Sequence, residues 1–178
     1  RIGTVTVVTF QRPEKLNAIS TAVERALLEA LAGPEVGQAR CVVFAGDERA
    51  FSAGADLVEE REERPGGIDA YYRDTGDVYE RIAALPQPTF SAVSGWCLGA
   101  GFELALATDF RIADETAVFG RPEVELGIVP SSGGTYRLVR AVGPARAKEL
   151  LLLRRPVAAG EAHRLGVVTE VVTAGEAL

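Results

Sequence analysis

Apolar positions change their spacing repeatedly along the 178 residues, and each change predicts an element. Val5 to Phe10 alternates and is rich in β-branched residues, which predicts a strand closed by the Arg12-Pro13 turn. Ala22, Val23, Ala26, Leu27, Ala30 and Leu31 recur at helical spacing, with Asn17 or Ser20 available as a cap and Gly33-Pro34 as the stop. CVVFAG (41–46) is short, apolar and bounded by turn residues, the pattern of a buried parallel strand. Ile68 to Leu85 predicts a helix carrying Tyr72, Val78, Ile82 and Leu85 and ending at Pro86. Thr89 to Val93 predicts a third strand, followed by the loop SGWCLGAG and a helix over FELALAT (102–108). Asp109 to Ala113 reads as a further short strand, and Val167 to Val172 as the last. Between them, Arg137 to Val142 and Ala145 to Leu153 predict two helices broken at Gly143-Pro144. Strands alternating with helices over short connections give an α/β protein of repeated ββα-type units, in one domain spanning 1–178.

Composition narrows the function classes. Hydrophobic residues make up 47% and charged residues 25%, as in an ordinary globular chain with a real core. A net charge of −6 argues against a nucleic-acid surface, which needs dense Lys and Arg. The acidic run DLVEEREERPGG (56–67) alternates with arginines and reads as a solvated helix face without a catalytic role. No apolar run approaches a membrane span, and RIGTVTVVTF alternates like a strand rather than a leader, so no membrane partner is expected. Cys41 and Cys97 lack partner spacing and read as reduced core residues, which points to a reducing, cytoplasmic setting. His163, the sole histidine, falls in EAHRLGVV on an amphipathic helix and can form neither a triad nor a zinc site alone. Trp96 and Tyr136 are expected to serve packing.

Two segments share a chemical form. FSAGADL (51–57) and GWCLGAGFEL (95–104) each run from a strand through a Gly/Ala-rich turn into a helix start. Small residues let a ligand approach the backbone, and free N–H groups at such a turn favour negative charge. Two turns facing one another would supply a pair of N–H donors to one developing oxyanion. A third glycine at dinucleotide spacing is missing after Gly99 and Gly101, and no GxxxxGK occurs, so nucleotide phosphate cradles are not supported. Glu103 lies inside an otherwise apolar helix, where an unpaired carboxylate is expensive, and Glu123 follows Pro122 in the apolar stretch FGRPEVELGIVP. Taken singly each reads as an ordinary exposed acid. Together with the two turns they suggest an acid–base pair, each raising the other's pKa in a partly dry pocket.

From RPEKLNAI (12–19) to RLGVV (164–168) the chain closely resembles the crotonase (enoyl-CoA hydratase/isomerase) family. FSAGADL, SGWCLGAGFELALATDFRIA, FGRPEVELGIVP, GGTYRL and AVGPARAKELLL follow in the family's order. The resemblance implies the crotonase spiral fold, with the backbone N–H groups of Ala55 and Ala100 as oxyanion donors and Glu103 and Glu123 as the catalytic glutamates. It further implies that Ala53, Asp56 and Leu57, with Lys15, Leu16 and Ala18, contact the CoA moiety. Ala100 stands where many members have glycine, and Ser131 replaces a frequent glycine after Pro130. Members continue into a C-terminal helical region that closes the pocket and supports a trimer; this sequence ends at GEAL without it.

The implied activity is hydration of a trans-2-enoyl-CoA to a 3-hydroxyacyl-CoA, in fatty-acid or related acyl-CoA degradation. It needs no metal and no separate cofactor, CoA being part of the substrate, and the implied assembly is a homotrimer or a hexamer of two trimers. A rival of the same family is an enoyl-CoA isomerase, or another crotonase-family acyl-CoA reaction, working through Glu123. A rival of another class is an RNA-binding or scaffold protein without catalysis, against which the acidic balance and both retained glutamates argue.

Overall fold

The chain is described here from a computed structural model over residues 4–61 and 78–178. Two sheets organise it. The first contains β1 (Val5–Thr9), β2 (Cys41–Ala45), β4 (Thr89–Val93), β6 (Phe110–Asp114) and β9 (Glu170–Val172), in the order β1-β2-β4-β6-β9 and parallel throughout. The second contains β3 (Ala50–Ser52), β5 (Trp96–Leu98), β7 (Val118–Gly120) and β8 (Val157–Ala158), in that order; only β8 runs antiparallel. Each successive strand pair, β2/β3, β4/β5 and β6/β7, gives one strand to each sheet before the chain turns away. The result is the spiral of ββα units that the resemblance implies.

The helices follow the same economy. α1 (Thr21–Ala32) is capped by Ser20, whose Oγ accepts the Val23 N–H, and stops before Gly33. Asn17 is not the cap. It is buried in the left-handed region (φ 56°), accepts the Arg12 N–H and donates to the Ala50 carbonyl at 2.8 Å, tying its loop to β3. A short helix, α2 (Pro34–Gly37), fills the predicted break, and α3 (Leu57–Arg61) follows β3. Of the helix expected over 68–85, residues 78–83 are helical and form the described part of α4, Leu85 lies beyond it, and the stretch 68–77 falls outside the described residues. α6 (Gly134–Leu152) is interrupted at Gly143, whose φ of 77° and ψ of 163° are not helical; this is the predicted break. α7 (Ala159–Leu165) carries His163, which bonds the Val168 carbonyl.

The core lies between the two sheets and α5 (Gly99–Ala107). Every α5 residue except Ala100 is buried, so this helix is apolar on all sides and runs through the middle of the molecule. It begins at Gly99 rather than at Phe102, and the expected loop before it contains β5. Val167 and Val168, expected in the last strand, instead bury into the core ahead of β9. Cys97 is buried as expected, while Cys41 is half-buried on β2; both are free thiols. Trp96 and Tyr136 do not pack inside: they are 44% and 40% exposed. Among the described residues no helix is long and apolar enough to cross a membrane.

Candidate active site

Strand order decides what meets what. β3, β5 and β7 are parallel neighbours, with Ser52 beside Cys97 and Leu98 beside Gly120. The segments leaving their carboxyl ends therefore emerge side by side, and such an edge is where open parallel sheets form ligand crevices. Those segments are the 53–56 turn, the start of α5, and Arg121-Pro122 leading into a 3-10 turn, Glu123–Leu126. They enclose a cavity of about 170 Å³ lined by Ala53, Ala55, Leu57, Ala100, Glu103 and Glu123, with Ser131 also in its lining.

The two Gly/Ala turns do face one another. Gly54 has φ 103°, and a Cβ there would lie 3.4 Å from Ala100 N and 3.0 Å from the Leu98 carbonyl oxygen. Ala55 bridges Ile19 through its neighbours: Ile19 N donates to Gly54 O at 2.8 Å and Asp56 N to Ile19 O at 2.9 Å. That pattern leaves the Ala55 N–H without an acceptor among the described residues. Ala55 thus sits in extended backbone two residues ahead of α3. Ala100 lies in the first turn of α5, where a backbone N–H has no intrahelical partner.

Both glutamates are buried, Glu103 to 3% and Glu123 to 8% exposure. Glu103 Oε1 accepts the Gly134 N–H at 3.0 Å, whereas neither oxygen of Glu123 accepts a hydrogen bond among the described residues. Burial pushes the Glu123 carboxyl above its usual range, the Arg121 charge pulls it back, and Glu103 pushes it up again.

Arg121 changes the expectation that the carboxylates simply repel. Its side chain is 1% exposed, and its Nη2 lies 3.3 Å from Glu103 Oε1 and 3.4 Å from Glu123 Oε1. Its Nη1 donates to the Gly99 carbonyl at 2.9 Å. The sequence signal was available: an arginine in an apolar stretch raises the same question of burial that singled out Glu103. Gly134, the other residue missed, falls in GGTYRL, but nothing in that segment says which side chain its backbone will meet.

The residues assigned to the CoA moiety divide. Segment 16–19 is zipped onto 53–56 by Ala53 N to Leu16 O at 2.9 Å and the Ile19 bonds, so both implied stretches are adjacent. Lys15 and Asp56 line an open cleft of about 350 Å³ with Arg12 and Ser20. Arg12 Nη2 meets Asp56 Oδ2 at 3.0 Å; that bond, with the charges of Arg12 and Lys15, holds the Asp56 carboxyl below its usual range against the opposing effect of burial. Ala18 faces a different cavity, between β1 and α1, and Leu16 lines neither cleft; its carbonyl is its contribution. Of the acidic run, Glu59 accepts the Thr21 N–H at 2.9 Å and so serves the start of α1. Among the described residues no three His, Cys, Asp or Glu side chains gather as metal ligands.

The family model described as Enoyl-CoA hydratase/isomerase matches residues 1–178. The chain is 44% identical over 171 residues to a protein of Rhizobium meliloti named probable enoyl-CoA hydratase, covering 96% of this chain and 66% of that protein. It is 39% identical over 182 residues to one of Mycobacterium bovis named probable enoyl-CoA hydratase echA8, covering 100% of this chain and 68% of the relative. The crystal structure of enoyl-CoA hydratase from Bacillus anthracis superposes with a TM-score of 0.91 at 36% identity, covering 98% of this chain and 68% of that one. The chain thus spans about two thirds of the length of the proteins it matches.

Proposed function

The chain belongs to the enoyl-CoA hydratase/isomerase family, and from that premise we propose that it adds water to a trans-2-enoyl-CoA to give a 3-hydroxyacyl-CoA. The thioester oxygen accepts hydrogen bonds from the Ala55 and Ala100 N–H groups, which stabilise the negative charge that develops there as the conjugated double bond is attacked. Glu103 takes a proton from water as the oxygen bonds to C3. Glu123 delivers a proton to C2 as the enolate collapses, and proton exchange between the carboxyls and solvent restores the site. No step calls on a metal or a separate cofactor. CoA is part of the substrate, and its phosphate-bearing end runs toward the cleft of Arg12, Lys15 and Asp56.

One observation carries this reading: two buried carboxylates and two turns with free N–H groups line the same small cavity. A second reading has its own support. Glu103 Oε1 is occupied by Gly134, while both Glu123 oxygens are unbonded, and an isomerase moving a proton along the acyl chain needs only one free carboxylate. Substitution separates them. Glu103→Gln and Glu123→Gln are each expected to lower hydration by orders of magnitude, and the double variant to be scarcely worse, because residues acting as a unit are not additive. Retained double-bond migration in Glu103→Gln, with hydration lost, would move the isomerase reading ahead.

A further inference from the structure

Arg121 touches both carboxylates and the first carbonyl of α5, yet neither reaction scheme gives it a task. Its geometry is that of a charge rather than of a hydrogen-bond clamp. The 3.3 and 3.4 Å approaches of Nη2 are too misaligned for hydrogen bonds, and the one well-formed bond of the side chain goes to Gly99 O. The three side chains are nearly sealed from solvent, at 1%, 4% and 11% exposure for Arg121, Glu103 and Glu123. Net charge in such a place is expensive, so the stable arrangement balances it. One guanidinium and two carboxylates leave a net charge of −1; one proton on the pair brings it to zero.

We propose that Arg121 is the positioning residue that fixes the proton count of the site, holding Glu103 and Glu123 as a pair that shares a single proton. This rests on the hydratase reading, which requires one carboxyl to accept a proton and the other to give one. The hydrogen bonds say where the proton sits. Glu103 Oε1 faces both the Gly134 N–H and Arg121, whereas Glu123 has only the Arg121 charge at 3.4 Å to offset its burial, so the proton is assigned to Glu123. Through Gly99 the same guanidinium is anchored to the turn that carries the Ala100 N–H, so the charge balance and the oxyanion donor share one support.

The other charged and titratable groups around Arg121 do not duplicate this role. The Cys97 thiol on β5 is fully buried, and burial pushes it well above its usual range despite the nearby Arg121 and Arg111 charges. Glu125 pairs with Arg154, and on α6 Arg137 is committed to Glu80 and the Ser132 carbonyl.

The test uses the full-length protein with Arg121→Gln and Arg121→Lys. The Arg121 charge pulls the Glu123 carboxyl down against its burial, so its loss should move the limb of the pH profile of kcat/KM that Glu123 sets upward. Arg121→Lys keeps the charge and should return that limb to near the parent's position even if turnover stays low. A role confined to packing would lower the rate in Arg121→Gln and leave that limb in place, which would overturn the proposal. Isotope-edited infrared titration of the parent's carboxyl groups needs no turnover. One protonated carboxyl is expected at neutral pH, and it should vanish in Glu123→Gln; two ionised carboxylates at neutral pH would overturn the proposal as well. If the parent hydrates no enoyl-CoA, the hydratase reading fails alone, and the same infrared titration of Arg121→Gln still decides for or against Arg121: a second protonated carboxyl is expected there, and an unchanged count would overturn the proposal.

Discussion

Gly134 has no room for a side chain. A Cβ there would lie 2.2 Å from Arg121 Nη2 and 2.4 Å from Glu103 Oε1, so Gly134→Ala must displace the charged pair on which the site rests. Overpacking of this kind costs about 1–3 kcal/mol, and a misplacement of about 1 Å at reacting groups can cost about 10²-fold in rate. Gly134→Ala is therefore expected to unfold at modestly lower temperature and to lose turnover far more severely, as thermal melts and steady-state rates will show. Asp56 gives a pH prediction. Its pKa is depressed in the folded state below the ordinary 3.8, mainly by Arg12, so the stability it contributes is complete above about that pH and lost as pH falls through the lower folded value. Unfolding measured from neutral to acid pH should show a shallower loss in Asp56→Asn than in the parent over that window. At this scale the sequence was legible where a residue type contradicts its surroundings. Glu103 inside FELALAT stood out because burial of a carboxylate is expensive, and Arg121 would have stood out by the same reasoning. Gly134 could not, because nothing in a sequence says which glycine another side chain will press against.

Among elements, the long periodic ones were readable and the short ones were not. α1 and the strands at 41–45 and 89–93 announce themselves through helical spacing or buried β-branched runs. β5 and β7 are three residues each, held by their parallel neighbours rather than by local preference, so they vanish into apparent loops. That matters to function, because β3, β5 and β7 together aim three separate segments at one cavity. The two Gly/Ala turns test this arrangement directly. The pairing of Ile19 uses Gly54 O and Asp56 N, so a proline at 55 leaves those bonds intact while deleting the Ala55 N–H. Ala55→Pro is expected to fold, by circular dichroism, and to turn over about 10²–10³-fold more slowly, the loss typical of one oxyanion donor. Ala100→Gly keeps its N–H and should stay within a few-fold of the parent. A folded Ala55→Pro protein at near full activity would remove Ala55 from the mechanism.

For the molecule as a whole, large apolar side chains stand exposed both at the cavity and at the end of α6. Val129 and Leu126, which line the cavity, are 71% and 50% exposed, and Leu152 and Leu153 at the end of α6 are 61% and 69% exposed; large exposed apolar patches mark interaction surfaces. Light scattering on the full-length protein is expected to give the mass of a trimer or of two trimers, and a stable monomer would contradict that expectation. The most direct measurement of the chemistry is turnover of a trans-2-enoyl-CoA in water labelled with oxygen-18 and deuterium, with mass analysis of the product. Hydration by Glu103 and Glu123 predicts a 3-hydroxyacyl-CoA carrying one labelled oxygen at C3 and one deuterium at C2. A product that gains no oxygen while its double bond migrates would contradict it, and Glu123 would then be acting alone.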